Sequence, residues 1–83
     1  MILITQHELE DFCFCSLRYA LGRTTYITNT ISQLLIKYAI FLPNTVKRQL
    51  IKEIEGEIAR GNGGMQCDIA EWQKLIEVLK NEI

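Results

Sequence analysis

The chain has 83 residues, which is room for one domain, and its hydrophobic share of 48% excludes the composition of a disordered chain. The 9 basic and 10 acidic residues form no runs, and the formal net charge is -1. Duplex nucleic acid is bound through clustered Lys and Arg on phosphates, so this balance argues against such a partner.

The cysteines and the apolar runs bear on the compartment. Three cysteines are an odd number, and residues 1–5 lack the charge and cleavage pattern of a secretory signal. The longest apolar run, residues 34–42, is interrupted by Lys37 and is far shorter than the ~20 residues of a membrane span. We therefore expect reduced thiols, a location in a reducing cytoplasm and no membrane partner.

The first predicted helix begins at Gln6, because Thr5 and Glu8 have the spacing of a capping box. Gly22 suits the left-handed position that ends a helix. Residues 1–4 are apolar and form a candidate short extended segment. The predicted apolar face consists of Leu9, Phe12, Cys13, Ser16, Ala20 and Leu21.

The second predicted helix covers residues 31–42. Residues 23–27 are rich in Thr and Tyr without helical periodicity, which predicts a turn or extended connector. Thr28, Asn29 or Thr30 is then the cap, and Pro43 stops the helix. Because the segment is apolar on nearly all sides, we expect it at the centre of the fold.

Two amphipathic helices complete the prediction. Asn44 or Thr45 caps the third, which Gly61 closes, and Asp68 with Glu71 repeats the capping-box spacing before the fourth. The pattern predicts an all-α fold, a compact bundle of about four helices in a single domain, residues 1–83. The predicted core positions are Val46, Leu50, Ile51, Ile54 and Ile58 in the third helix, and Ile69, Trp72, Leu75, Ile76, Leu79 and Ile83 in the fourth.

The spacing of the cysteines does not favour a metal site. Cys13 and Cys15 point ~200° apart on a helix and do not hold one ion together. A zinc site that adds Cys67 and His7 is the alternative. We predict no metal and no cofactor, with Cys13 in the core and Cys15 a partly exposed thiol.

No motif indicates catalysis. Carboxylate pairs such as Glu53 and Glu57 have helical spacing, but acid–base work requires a desolvated cleft that separates their pKa values. The glycines of residues 61–64 lack the Lys-Ser or Lys-Thr of a phosphate-binding loop, which favours a turn. We expect a binding protein and not an enzyme.

The candidate site is a cluster of arginines, tyrosines and hydroxyl groups around the end of the first helix. Arginine holds phosphate with a planar fork, tyrosine stacks on bases, and Thr or Asn bonds ribose and base edges. The alternative is structural: Arg18 pairs with Asp11 or Glu8, Tyr19 packs at the core margin, and Arg23 binds carbonyls at the helix end. The predicted ligand-binding residues are Arg18, Tyr19, Arg23, Thr25, Tyr26 and Asn29.

Residues 18–26 read Arg-Tyr-Ala-Leu-Gly-Arg-Thr-Thr-Tyr. This segment resembles the Arg-Tyr-Ala-Leu-Gly-Arg-x-Thr-Tyr core of small uncharacterised bacteriophage and prophage proteins. The similarity extends more loosely to Gly64, Met65, Asp68 and Trp72. The resemblance carries over no catalytic residue and implies a phage accessory protein, of a kind that frequently counters bacterial immunity.

Three functions follow from that resemblance. The leading hypothesis is sequestration of a nucleotide-type immune signal by a homo-oligomer, with Arg18 and Arg23 on phosphate and Tyr19 or Tyr26 stacked on a base. The alternative is a protein–protein inhibitor of a host defence complex, as anti-CRISPR proteins are, for which the near-neutral charge and surplus apolar residues are suited. A structural or regulatory phage component is the third.

Overall fold

Helices dominate residues 5–83, which are the residues described by the computed structural model. They form α1 (Gln6–Ala20), α2 (Thr25–Tyr38), α3 (Asn44–Ala59) and α4 (Gln66–Asn81), and a short 3₁₀ turn (Ala39–Phe41) follows α2. The predicted all-α bundle is confirmed. The extended segment predicted at residues 1–4 lies outside the described residues.

Helix α1 begins and ends as its sequence predicts. The N–H of Glu8 donates to Thr5 Oγ1, and the N–H of Thr5 donates to Glu8 Oε1, each at 3.1 Å. After the helix, Gly22 has a φ of 78°. The capping box and the glycine stop are both confirmed.

The buried face of α1 differs from the predicted one at Phe12. Cys13, Leu17 and Ala20 are fully buried, whereas Phe12 remains 45% exposed. Its ring contacts Tyr38 edge-on, with 6.4 Å between the centroids. Placing Phe12 in the core was wrong because its side chain lies at the margin between α1 and the end of α2.

Helix α2 begins six residues earlier than predicted. Thr24 is its N-cap, with Oγ1 accepting the N–H of Ile27 at 3.4 Å. The predicted connector and the caps at residues 28–30 were therefore wrong. The buried positions of α2 are Thr28, Ser32 and Leu35, so its inward face opens with small hydroxyl side chains in place of large apolar ones.

Helix α3 has the predicted apolar face but a different start. Its N-cap is Pro43, with no side-chain capping bond, so neither Asn44 nor Thr45 caps it. Proline suits this place because its fixed φ leads into a helix and its missing N–H leaves no donor unsatisfied. Val46, Leu50, Ile51 and Ile54 are buried as predicted.

Helix α4 begins at Gln66, two residues before Asp68, so the prediction of Asp68 as the N-cap residue was wrong. Met65 is the N-cap, and Asp68 lies in the first turn, where its Oδ2 accepts the N–H of Met65 at 2.9 Å. Trp72, Leu75 and Ile76 are buried on its inner face, as expected.

The helices surround one core in the order α1, α2, α4, α3, each packing against the next and α3 returning to α1. The smallest dimension, 17 Å, corresponds to two layers of helices at the usual separation of about 8–10 Å. At one end of the bundle, the α1–α2 turn meets the α3–α4 connection: a Cβ built on Gly22 would lie 3.3 Å from the Asn62 carbonyl oxygen. Between residues 5 and 83, no helix has the length and apolar content to cross a membrane.

Candidate functional site

A cavity of about 530 Å³ opens at this end of the bundle. It lies between the last turn of α1, the second half of α3 and the α3–α4 connection. Ligand pockets in proteins typically measure roughly 300–1,000 Å³, and this cavity lies within that range. The charged side chains that line it are Arg18, Glu53, Glu57 and Arg60.

Two ion pairs hold these charges. Arg18 Nε donates to Glu53 Oε1 at 2.8 Å, and Arg60 Nη2 forms a close pair with Glu57 Oε1. Both arginine side chains are 61% exposed, whereas those of Glu53 and Glu57 are 21% and 26% exposed. The guanidinium groups are therefore the solvent-facing members of each pair.

The pKa shifts follow from the same contacts. The hydrogen bond and then the charge of Glu53 raise the pKa of Arg18 above its usual value. Hydrogen bonds from Arg60 and then from Asn62, whose Nδ2 lies 3.1 Å from Glu57 Oε2, lower the pKa of Glu57. Glu57 is thus an ionised carboxylate held by a neighbour on each oxygen.

The cavity is also lined by glycine backbone. Gly22, Gly61 and Gly64 all line it, and they are the glycines with positive φ (78°, 82° and 91°) among the described residues. A Cβ added at Gly22 would meet the Asn62 carbonyl oxygen, and one added at Gly64 would meet the Asp68 side chain. Nothing lies within 4 Å of the Cβ position of Gly61, so a ligand can approach the backbone closely at that residue.

Of the six predicted ligand-binding residues, Arg18 alone lines this cavity. Arg23 turns back on α1: its guanidinium lies 4.6 Å from the centroid of the Tyr19 ring, and its Nε donates to the Tyr19 carbonyl at 3.1 Å. The structural alternative is right for Arg23. For Arg18 the partner is Glu53 in α3, in place of the expected Asp11 or Glu8.

Thr25, Tyr26 and Asn29 lie in the first turns of α2 and do not line the cavity. Thr25 Oγ1 is 3.6 Å from Cys67 Sγ at the start of α4. Tyr26 is 79% exposed, and Asn29 is exposed as well. Arg18, Arg23 and Tyr26 therefore do not converge on one cavity.

Sequence reasoning missed Glu57, Arg60 and Asn62 as cavity residues. Glu57 was treated as part of an exposed carboxylate pair, and residues 61–64 as a turn. The available signal was the run Arg-Gly-Asn-Gly-Gly at residues 60–64, which puts an arginine and an amide beside flexible backbone at a helix end.

The thiols do not gather. Cys13 is buried, and burial, followed by the charge of Glu10, raises its pKa to about 11. Cys15 and Cys67 are exposed. His7 Nε2 lies 3.1 Å from Asp11 Oδ2, one turn along α1. From residue 5 onward, no group of three or more His, Cys, Asp or Glu side chains is arranged to hold a metal ion.

An apolar patch forms a second surface feature on another part of the bundle. It consists of Phe12, Tyr38, Ile40 and Phe41, of which Ile40 and Phe41 are 65% and 57% exposed. Gln6 Nε2 donates to the Phe41 carbonyl at 2.9 Å and fixes the 3₁₀ turn beside α1. The 3₁₀ turn that carries Ile40 and Phe41 is thereby hydrogen-bonded to the first turn of α1.

Comparison with known proteins adds no relative to these observations. No family model matches the chain, and no curated protein or solved structure shows significant similarity to it.

Proposed function

We propose that this chain is a non-enzymatic binding protein that holds a nucleotide-type ligand in the cavity between α1, α3 and the α3–α4 connection. One observation carries the proposal: two arginines and three glycines line the same cavity of about 530 Å³. Arginine forks are usual donors to phosphate, and glycine lets a ligand approach the backbone closely.

The ion pairs support this use of the arginines. Arg18 donates from Nε to Glu53, which leaves the other N–H groups of its guanidinium for a second acceptor. A guanidinium held in this way has lost its conformational freedom before the ligand arrives, so binding costs less entropy. Glu53 and Glu57 thus position Arg18 and Arg60 as well as balance their charge.

The biological role that we propose comes from the resemblance at residues 18–26. In a phage accessory protein, a nucleotide-binding cavity without catalytic groups suits sequestration of a nucleotide immune signal in the host cytoplasm. Arg23 and Tyr19, stacked beside the α1–α2 turn, remain candidates for contacts with a ligand that extends out of the cavity.

Isothermal titration calorimetry against cyclic nucleotides, AMP, ADP and ADP-ribose tests the proposal. The informative variant replaces the ion pair by neutral groups, Arg18→Gln with Glu53→Gln, so that no buried carboxylate loses its partner. We expect affinity to fall by about tenfold, as for the loss of one charge-assisted hydrogen bond. Arg48→Gln, on the exposed side of α3, is the matched control.

If the wild-type protein gives no heat with any ligand of the panel, the proposal is overturned. Equal affinities for the wild type and the double variant would remove Arg18 from the site while leaving binding itself in place.

The apolar patch favours a second candidate, inhibition of a host defence protein by direct contact. Interface cores are rich in aromatic and poor in charged residues, and Phe12, Ile40 and Phe41 have this composition on an exposed surface. The same patch is where we propose that a homo-oligomer forms. Capture of a host defence protein from bacterial lysate that is lost in Phe41→Ser, but kept in the control Tyr26→Ser, would favour inhibition over nucleotide binding.

A further inference from the structure

The cavity is formally neutral, and its neutrality restricts the ligand. Arg18 and Arg60 are matched by Glu53 and Glu57, so a bare anion gains only the difference between attraction and repulsion. A ligand that also donates hydrogen bonds gains from the carboxylates as well. Net affinity therefore requires both kinds of group in one molecule.

Glu57 is the carboxylate arranged to accept such donors. Arg60 bonds one of its oxygens and Asn62 the other, and each oxygen keeps a second lone pair. The neighbours on both sides fix the plane of the carboxylate. Gly61 also lines the cavity, and nothing lies within 4 Å of where its Cβ would be, so the lining is open at this residue.

Resting on the proposed function, we infer that Glu57, Arg60 and Asn62 form a subsite for the ribose of the nucleotide. Adjacent hydroxyls of a cis-diol donate to the two Glu57 oxygens and accept from Arg60 and Asn62, while the phosphate lies toward Arg18. The ligand class is a ribonucleotide with free 2′ and 3′ hydroxyls.

The lowered pKa of Glu57 agrees with this role, because the carboxylate remains an acceptor at neutral and mildly acidic pH. A protonated carboxyl would donate through one oxygen and lose the paired acceptor geometry.

The experiment compares AMP with 2′,3′-dideoxy-AMP, which have the same base and phosphate, by calorimetry on three proteins. Wild type is expected to bind AMP about tenfold more tightly, as for loss of hydrogen bonds to a charged acceptor. Glu57→Gln has one acceptor oxygen in place of two, so AMP should bind it no better than the dideoxy compound does. Glu55→Gln, two residues away on α3 and exposed, does not line the cavity; it is the control and should keep the preference.

The change in AMP and dideoxy-AMP affinity caused by Glu57→Gln separates this inference from simple charge attraction. If charge alone governs binding, removing a carboxylate tightens AMP and dideoxy-AMP equally, and the inference is overturned. Equal affinity of wild type for both compounds also overturns it and leaves the proposed function standing. Absence of binding by either compound overturns the ribose subsite and, across the wider panel, the proposed function as well.

Circular dichroism confirms that each variant is folded. Asn62→Ala gives a second route to the same answer, because it removes a donor and leaves the charge of the cavity unchanged. We expect it to reduce the preference for AMP severalfold without strengthening the binding of dideoxy-AMP.

Discussion

Gly22 is the residue at which the two connections of the bundle touch. Its φ of 78° is a backbone angle that residues with a side chain rarely adopt, and an added Cβ would lie 3.3 Å from the Asn62 carbonyl oxygen. We expect Gly22→Ala to lower the free energy of unfolding by about 1–2 kcal/mol, because an L-residue is strained in the left-handed region. Urea denaturation followed by circular dichroism measures the loss.

Gly56 provides the opposite case within the same chain. It lies in the interior of α3, and the nearest atoms to an added Cβ are those of the flexible Arg60 side chain, at 3.5 Å. Gly56→Ala is expected to raise the free energy of unfolding by about 0.5–1 kcal/mol, since alanine restricts the unfolded chain and favours helix. A Gly22→Ala variant as stable as the wild type would contradict the strain argument at Gly22, and a loss of stability in Gly56→Ala would contradict the helix-propensity argument at Gly56.

At the scale of the element, the start of α1 depends on an ionised Glu8. The hydrogen bonds from the backbone and side chain of Thr5 lower the pKa of Glu8 below its ordinary value of 4.5. A group whose pKa is lowered by folding stabilises the fold above the unfolded value, and that contribution is lost as pH falls through the folded value. Wild type should therefore exceed Glu8→Gln in stability near neutral pH.

The difference between these two proteins should shrink as the pH is lowered below 4.5. Glu57 also has a lowered pKa, but it is present in both proteins, so its effect cancels in the difference. Thermal unfolding over this pH range provides the measurement. A difference that is unchanged on acidification would contradict the capping argument.

The helices could be predicted where one local signal decided them. The capping box at Thr5, the glycine stop at Gly22 and the apolar face of α3 depend on neighbouring residues alone. The start of α2 could not be predicted in this way. Its inward positions are occupied by Thr28, which is polar and β-branched, and by Ser32, which is polar and small, so the usual apolar periodicity of a helix is missing. Tertiary packing against α4 overrides that local preference.

We expect the buried hydroxyl groups of α2 to lower the free energy of unfolding. Thr28 is 1% exposed, and its Oγ1 has no hydrogen-bond partner among the described residues. Thr28→Val keeps the shape and removes the unsatisfied group, so we expect the free energy of unfolding to rise by about 1 kcal/mol. Chemical denaturation provides the test, with Thr30→Val as the control: Thr30 is exposed and bonds the Tyr26 carbonyl, so its loss should bring no gain.

At the scale of the whole molecule, the cavity depends on contacts between distant parts of the chain. Arg18 and Glu53 are 35 positions apart, and so are Lys47 and the Glu82 carbonyl that its buried Nζ bonds at 2.9 Å. Sequence patterns identify which side chains are charged but not which helices adjoin, so Arg18 was predicted and its partner was not. The neutral cavity is a property of the packed bundle.

The same packing predicts how the chain unfolds. Trp72 is fully buried in a single core cluster to which all four helices contribute. Small single domains with one core usually unfold in one step. Fluorescence of Trp72, the sole tryptophan, and circular dichroism of the helices should therefore give the same denaturation midpoint. Separate midpoints would mean that part of the bundle unfolds independently.

Protein concentration makes this measurement informative about assembly. If copies associate through the apolar patch, dilution favours unfolding by mass action, and the shared midpoint moves to lower denaturant. Phe41→Ser, which alters a 57% exposed side chain in the patch, should then remove the concentration dependence and preserve the single transition. A midpoint independent of concentration in the wild type would instead describe a monomer and would contradict association through the apolar patch.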